Sequence, residues 1–172
     1  MVVTNIDYIQ LRKEVENRGL LNYTQAYYTL IFSINLLLLV IIYTVVFYFK
    51  EWYVIVLMAI PISFIDAQFG YLGHESGHLS ISKSRFVNGF IGYFSHCFIL
   101  GGSFSYWKYK HDMHHAYPNH EDIDPDVVDK HPFSYTEEKV KKNSGLARLI
   151  TRYQAFLLLP AFLIVVFLMR FD

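Results

Sequence analysis

Residues 26–49 read AYYTLIFSINLLLLVIIYTVVFYF and contain no charged side chain. As a helix this stretch is about 36 Å long at about 1.5 Å per residue, enough to cross a hydrocarbon core of roughly 30 Å. Tyr27, Tyr28, Tyr43 and Tyr48 lie towards its ends, where amphipathic rings favour the headgroup region. A second apolar stretch, residues 52–72, follows after the short turn at Lys50 and Glu51 and is read as a span running back. It carries Pro61, a candidate kink, and the polar Ser63, Asp66 and Gln68. An ionised carboxylate in the bilayer centre costs about 2.5–3.5 kcal/mol on insertion scales, so Asp66 is expected to face protein or to lie near the membrane exit.

Composition agrees with this reading. Hydrophobic residues make up 53% of the 172-residue chain and charged residues only 17%, too few to cover a soluble surface. With 15 basic and 15 acidic residues there is no basic excess, which argues against a nucleic-acid partner. Cys97 is the single cysteine, so an internal disulfide and a Cys-rich metal site are both excluded; it is expected to be a buried small hydrophobe. Residues 1–25 are polar and mixed in charge, with Ile6, Ile9, Leu11 and Val15 at roughly helical spacing, and read as an amphipathic helix at the membrane interface rather than a cleavable signal.

Further along, residues 86–105 are apolar but interrupted by Asn88, Gly89, Gly92, His96, Gly101 and Gly102. Residues 106–152 are polar, and residues 153–171 form a third expected span, with Pro160 inside it. Three basic residues precede the first span, one lies in the turn between the first two, and ten lie between residues 73 and 152. The positive-inside rule therefore places the N-terminus and the polar middle of the chain in the cytoplasm. The fold class expected is an all-α, multi-pass integral membrane protein.

Two histidine clusters flank the interrupted segment. His74 and His78 are spaced i, i+4, and His111, His114 and His115 are spaced i, i+3, i+4, so on helices each cluster occupies one face. Five imidazoles in this pattern form a candidate ligand set for iron, zinc, copper or nickel. The first cluster alone, His74-Glu75-Ser76-Gly77-His78, also fits the H-E-x-x-H pattern of zinc metalloproteases, with Glu75 as general base. If one metal site uses both clusters, residues 86–105 cannot cross the bilayer between them and must lie along or dip into the cytoplasmic leaflet. Gly70, Gly73 and Gly77 form a small-residue stripe that lets another helix approach the first cluster closely.

The combined pattern, H-x-x-x-H followed by H-x-x-H-H, resembles the membrane fatty acid desaturase family. Its flanks, from Gln68 through Gly73 before the first cluster and Tyr106-Trp107 with Pro118-Asn119 and Asp124-Pro125-Asp126 around the second, are similar to bacterial acyl desaturases of the linoleoyl-CoA type. The close resemblance covers about residues 60–130. It implies a desaturase domain over residues 26–172, following the lead-in of residues 1–25. It further implies a di-iron centre held by His74, His78, His111, His114 and His115. The activity implied is the O2-dependent introduction of a double bond into an acyl-lipid or acyl-CoA substrate, with electrons from a cytochrome b5 or ferredoxin type of donor. The same boxes serve related di-iron hydroxylases, and the zinc-protease reading of the first cluster also stays open. The family carries a third histidine box that this sequence lacks, so the chain is read as an incomplete, inactive portion with weak or no stable iron binding.

The remaining candidates have plainer expectations. His96 is expected to be a structural hydrogen-bonder, and His120 and His131 loop residues. Asp124 and Asp126 are either partners that orient the histidines or turn residues around Pro125. Lys108 and Lys110 are expected to face anionic lipid or a phosphate of an acyl carrier.

Overall fold

A computed structural model describes residues 5–127, 133–134 and 136–168, with side chains over 7–127, 133–134 and 136–161. The described residues are all helical or irregular, with no strand among them. In chain order the helices are α1 (Asn5–Asn17), α2 (Gln25–Tyr48), α3 (Trp52–Gly77), α4 (Arg85–Tyr93), a π-helix (Phe94–Ile99), α5 (Phe104–Ala116), α6 (Glu137–Lys142) and α7 (Gly145–Leu168). Among the described residues α2 and α3 are long and apolar enough to cross a membrane. The chain forms two compact units, Met1–Leu100 and Gly101–Asp172.

In the first unit α2 and α3 pack as an antiparallel pair around Leu39, Ile42, Ile65, Phe69 and Leu72, and the segment after α3 adds Ile81 and Ile91 to the same core. Phe69 is fully buried, with Phe32 of α2 edge-on at 5.7 Å and Phe94 of the π-helix at 6.0 Å between ring centroids. Helix α3 continues through Pro61 and ends at Gly77, so the first histidine cluster occupies its last turn and cap. Asp66 is half-buried rather than turned fully to lipid. Helix α1 leaves Ile9 and Leu11 exposed and is laced by i, i+4 ion pairs, Arg12 with Glu16 at 3.1 Å and Arg18 with Glu14.

The end of α3 is closed by a Schellman arrangement. The Leu79 amide donates to the Ser76 carbonyl at 3.0 Å and the Ser80 amide to the Glu75 carbonyl at 3.1 Å. That geometry puts Leu79 at φ 57°, a conformation glycine adopts without strain. A left-handed residue with a Cβ costs about 1–2 kcal/mol, and glycine returns part of that as chain entropy, so Leu79→Gly is expected to stabilise the fold by about 0.5–1 kcal/mol. Thermal unfolding in detergent checks this: a lowered midpoint would mean that the partly exposed Leu79 side chain contributes more by packing than its backbone costs.

Asn88 ties the segment after α3 together. Its carboxamide donates to the carbonyls of Ser82 at 2.7 Å and Ser84 at 2.8 Å, while the Ser82 hydroxyl donates to Gln25 at the start of α2 at 3.2 Å. Ser84 caps α4 by accepting from the Val87 amide. Residues 86–105 are not one α-helix. A continuous helical run from Arg85 is α-helical to Tyr93 and in π register to Ile99, and Gly101 follows at φ 70°. The small-residue stripe receives the π-helix: a Cβ on Gly70 would lie 3.8 Å from Leu100, and one on Gly73 would overlap His96. Cys97 departs from expectation. It is exposed on the π-helix instead of buried, because the face of that segment towards α3 is taken by Ser95 and His96.

In the second unit Ser103 caps α5. The stretch before α6 is fastened to α7 by side chains: Asn143 donates to Ser134 Oγ at 2.7 Å and to Thr151 Oγ1 at 2.8 Å, and Gln154 exchanges hydrogen bonds with the Ser134 backbone at 3.0 and 3.1 Å. Helix α7 starts at Gly145, before the expected span of residues 153–171, and its first two turns carry the exposed Arg148 and Arg152 among apolar residues. His131 and residues 169–171 lie outside the described residues.

Candidate metal centre

In the first unit, the i, i+4 spacing on α3 sets His74 and His78 on one face, with ring centroids 4.6 Å apart and nearly perpendicular planes. Both are solvent-accessible to a useful degree, His74 half-buried and His78 exposed. Glu75 lies between them in sequence and turns its carboxylate to three partners. His74 Nδ1 approaches Oε1 at 3.3 Å; Ser80 Oγ donates to Oε2 at 2.8 Å; the Tyr28 hydroxyl donates to Oε2 at 3.3 Å. A carboxylate accepts only, so in this contact His74 donates from Nδ1 and its acceptor nitrogen is Nε2. This is how metal-bound imidazoles are commonly held. Occupied in this way, Glu75 is an orienting group for His74.

In the second unit, α5 carries His111, His114 and His115. The Nε2 atoms of His111 and His115 lie 3.1 Å apart, one turn from each other. Two nitrogens at right angles on one metal, each about 2.1 Å from it, stand about 3.0 Å apart, so this pair is spaced as neighbouring ligands are. Trp107 stacks on His111 at 4.6 Å with planes 16° apart, which fixes the ring's tilt. Lys108 is held by Asp112 at 2.8 Å on the same helix, leaving Lys110 against the Tyr106 ring.

His114 points its Nδ1 at Asp124, 2.9 and 3.1 Å from the two carboxylate oxygens, with Asp126 at 3.5 Å. The loop between them explains the Pro-Asn and Asp-Pro-Asp of the sequence. Pro118 and Asn119 occupy the centre of a turn closed by the His120 amide on the Tyr117 carbonyl at 3.1 Å, and Asn119 takes φ 62°. Proline then a residue with positive φ is the type II pattern. The turn aims the Asn119 amide at Asp124 Oδ2, 2.7 Å away, and the Asp126 amide donates to Oδ1 at 2.9 Å. Asp124 is fully buried. Burial pushes its carboxyl up, but the Asp126 and Asn119 amides and His114 outweigh this and hold it below the usual carboxylate range. Asp124 is thus both turn residue and orienting partner, the two roles the sequence left as alternatives. His114, Asp124 and Asp126 also fall within 4.8 Å of one another as a possible metal group. We assign them otherwise, because both Asp124 oxygens already accept amide protons and the third bond is to His114 Nδ1.

The chemistry of the donor set therefore fits a nitrogen-ligated transition metal. Each cluster presents a pair of adjacent imidazoles, His74 with His78 and His111 with His115, and each has one imidazole locked by a carboxylate, His74 by Glu75 and His114 by Asp124. His120 stays an exposed loop residue, its Nδ1 accepting from the Asp122 amide at 3.3 Å. His96 is buried and bonds the Gly92 carbonyl, as a structural role requires. Sequence reasoning missed Glu75 as an orienting group, together with Tyr28 and Ser80. For Tyr28, 47 residues away in the chain, no local signal exists.

The family model for fatty acid desaturases matches residues 50–172. The chain belongs to the fatty acid desaturase family. As a member of that family it is a membrane protein, and the zinc-protease reading of the first cluster gives way. Among curated relatives, a "Fatty acid desaturase 2-like protein FADS2B" of Mus musculus is 29% identical over 144 residues, 78% of this chain and 30% of the relative. A "Delta(8)-fatty-acid desaturase" of Euglena gracilis is 26% identical over 165 residues, 96% of this chain and 38% of the relative. The chain spans about a third of the length of these relatives. No solved structure matches it.

Proposed function

We propose that the whole protein is an O2-dependent acyl desaturase of lipid metabolism, and that His74, His78, His111, His114 and His115 are this chain's contribution to a di-iron centre. The observation that carries the reading is the paired construction of the two clusters. Each has one imidazole held at Nδ1 by a carboxylate, Glu75 at 3.3 Å and Asp124 at 2.9 Å, which makes Nε2 the nitrogen that would ligate a metal. Bound iron supplies the oxidant needed to break unactivated C–H bonds, which no side chain can do. The overall change is CH2–CH2 plus O2, two electrons and two protons to CH=CH plus two waters. A cytochrome b5 or ferredoxin type of donor supplies the electrons.

The chain's own part is to hold the imidazoles in a fixed tautomer and to meet an apolar substrate in the bilayer. The first unit carries an open apolar groove of about 660 Å³ between α2 and the π-helix, lined by Leu36, Leu39, Val40, Tyr43, Phe94 and Phe98, and its chemistry suits hydrocarbon. The substrate class is an acyl chain carried on lipid or coenzyme A. We place the N-terminus and both histidine clusters on the cytoplasmic side, α2, α3 and the apolar part of α7 across the bilayer, and α4 with the π-helix in the cytoplasmic leaflet. The lead-in, residues 1–25, lies at the interface, and residues 26–172 belong to the desaturase domain.

Expression of the whole protein in a host with a defined fatty-acid profile tests this. An unsaturated product that needs O2 is expected, with loss of the product and of bound iron in His111→Ala and His78→Ala. A hydroxylated product at the same position would identify the related hydroxylase. Purified protein that carries zinc and leaves every acyl chain unchanged would sink the reading.

A further inference from the structure

His96 has no part in the ligand set, yet it is only 8% exposed and sits against the helix that carries the first cluster. A Cβ built on Gly73 would lie 2.3 Å from His96 Nδ1 and 2.4 Å from its Cε1, with the Ser95 Cβ at 3.2 Å. No real side chain tolerates such distances, and the second neighbour is close to backbone, which yields little. The imidazole therefore occupies the volume a side chain at residue 73 would take. Its place is set from its own segment: the ring bonds the Gly92 carbonyl, and the backbone around it is in π register, with the Leu100 amide reaching back to Ser95 at 3.0 Å. Such wide turns are rare and turn up often at functional sites.

We propose that His96 is a positioning residue, a wedge between the π-helix and α3 that sets the height and rotation of the last turn of α3 and so the aim of His74 and His78. Gly73 immediately precedes His74. Any displacement of the backbone at residue 73 is passed to His74 directly and to His78 one turn on. Leu79, in a left-handed conformation beyond the cap, and the Ser80 bonds to Glu75 fix the far side of the same turn. The last turn is thus held between His96 on one side and its closing loop on the other. The inference rests on His74 and His78 being metal ligands, and one arm of its test does not.

The test uses the full-length protein in detergent as the parent, Gly73→Ala, His96→Gln, His96→Ala and Gly73→Ala/His96→Ala. In the metal-free state, the rate at which diethyl pyrocarbonate modifies His74 and His78 is read by peptide mass spectrometry. With Co(II) as probe, affinity and the visible ligand-field band are read. Gly73→Ala is expected to change the modification rates and to weaken Co(II) binding by about 10- to 100-fold, the range found for groups that orient ligands, with a shifted band. The double variant, in which the added methyl has the vacated imidazole space, is expected to recover most of this. His96→Gln, which keeps a donor for Gly92 and much of the volume, is expected to match the parent, and His96→Ala to shift the band. A merely structural role would lower the yield of folded protein and leave the band where it is. Unchanged modification rates and an unchanged band in folded His96→Ala, or a double variant no better than Gly73→Ala, would overturn the proposal. If the parent binds no Co(II), the ligand reading fails and the modification rates still decide the wedge.

Discussion

Asp124→Asn is expected to lower the iron affinity of the whole protein by about 10- to 100-fold, the usual effect of removing a group that orients a metal-bound histidine. Three donors converge on the Asp124 carboxylate: His114 Nδ1 at 2.9 Å, the Asn119 amide at 2.7 Å and the Asp126 amide at 2.9 Å. Asparagine keeps the shape but offers one acceptor oxygen, and its NH2 must face at least one of those donors. The cheapest relief is for His114 to turn or to change tautomer, and either would withdraw Nε2 from the metal that His114 is proposed to hold. Asp124→Ala is expected to be worse for the fold, since each backbone amide left buried without a partner costs about 1–3 kcal/mol. Iron retained after dialysis against a graded chelator series checks the first effect and thermal unfolding the second. Iron held by Asp124→Asn as tightly as by the parent would show that His114 is positioned by other means.

Glu75→Gln separates two uses of the same residue. As the orienting partner of His74, its loss is expected to weaken iron binding by about tenfold and to lower turnover in step with iron content, so that excess iron restores part of the activity. As a general base it would leave metal content intact and abolish turnover even at full loading. The geometry favours the first outcome. Its oxygens are engaged by His74, Ser80 and Tyr28, and the shortest of these bonds, 2.8 Å, is to Ser80. Full iron content with no turnover would restore a proton-transfer role to Glu75.

The apolar runs of residues 26–49 and 52–72 were enough to expect two long helices, and α2 and α3 are long and apolar enough to cross a membrane, where a backbone satisfies its amides within the helix. The i, i+4 and i, i+3, i+4 spacings likewise put the five histidines on helix faces, since that follows from 3.6 residues per turn alone. Local chemistry carried further still: Pro118-Asn119 and Asp124-Pro125-Asp126 are turn signals, and both form turns. What the sequence left open was which role each polar residue takes once the turn is made. Asp124 could be a turn residue or a ligand partner, and only the fold, by burying it fully under His114, showed it to be both.

Long-range packing decided the rest. Cys97 and His96 are neighbours in an apolar segment, and nothing local tells them apart. His96 is buried, in keeping with a structural role, whereas Cys97, expected to be buried, faces outward from a stretch whose π register alters the helical period on which a facing argument rests. The stripe Gly70, Gly73, Gly77 announced a close approach but not its partner, which is a histidine ring at Gly73 and Leu100 at Gly70. Sequence by itself determined the long apolar helices and the histidine faces, because these depend on period and spacing within single elements, and the two clusters with their flanks carried the resemblance to the family. Tertiary structure alone decided that Glu75 answers to Tyr28, and that residue 73 must lack a side chain so that His96 can occupy its place. Those contacts join residues distant in the chain, whose meeting no local pattern records.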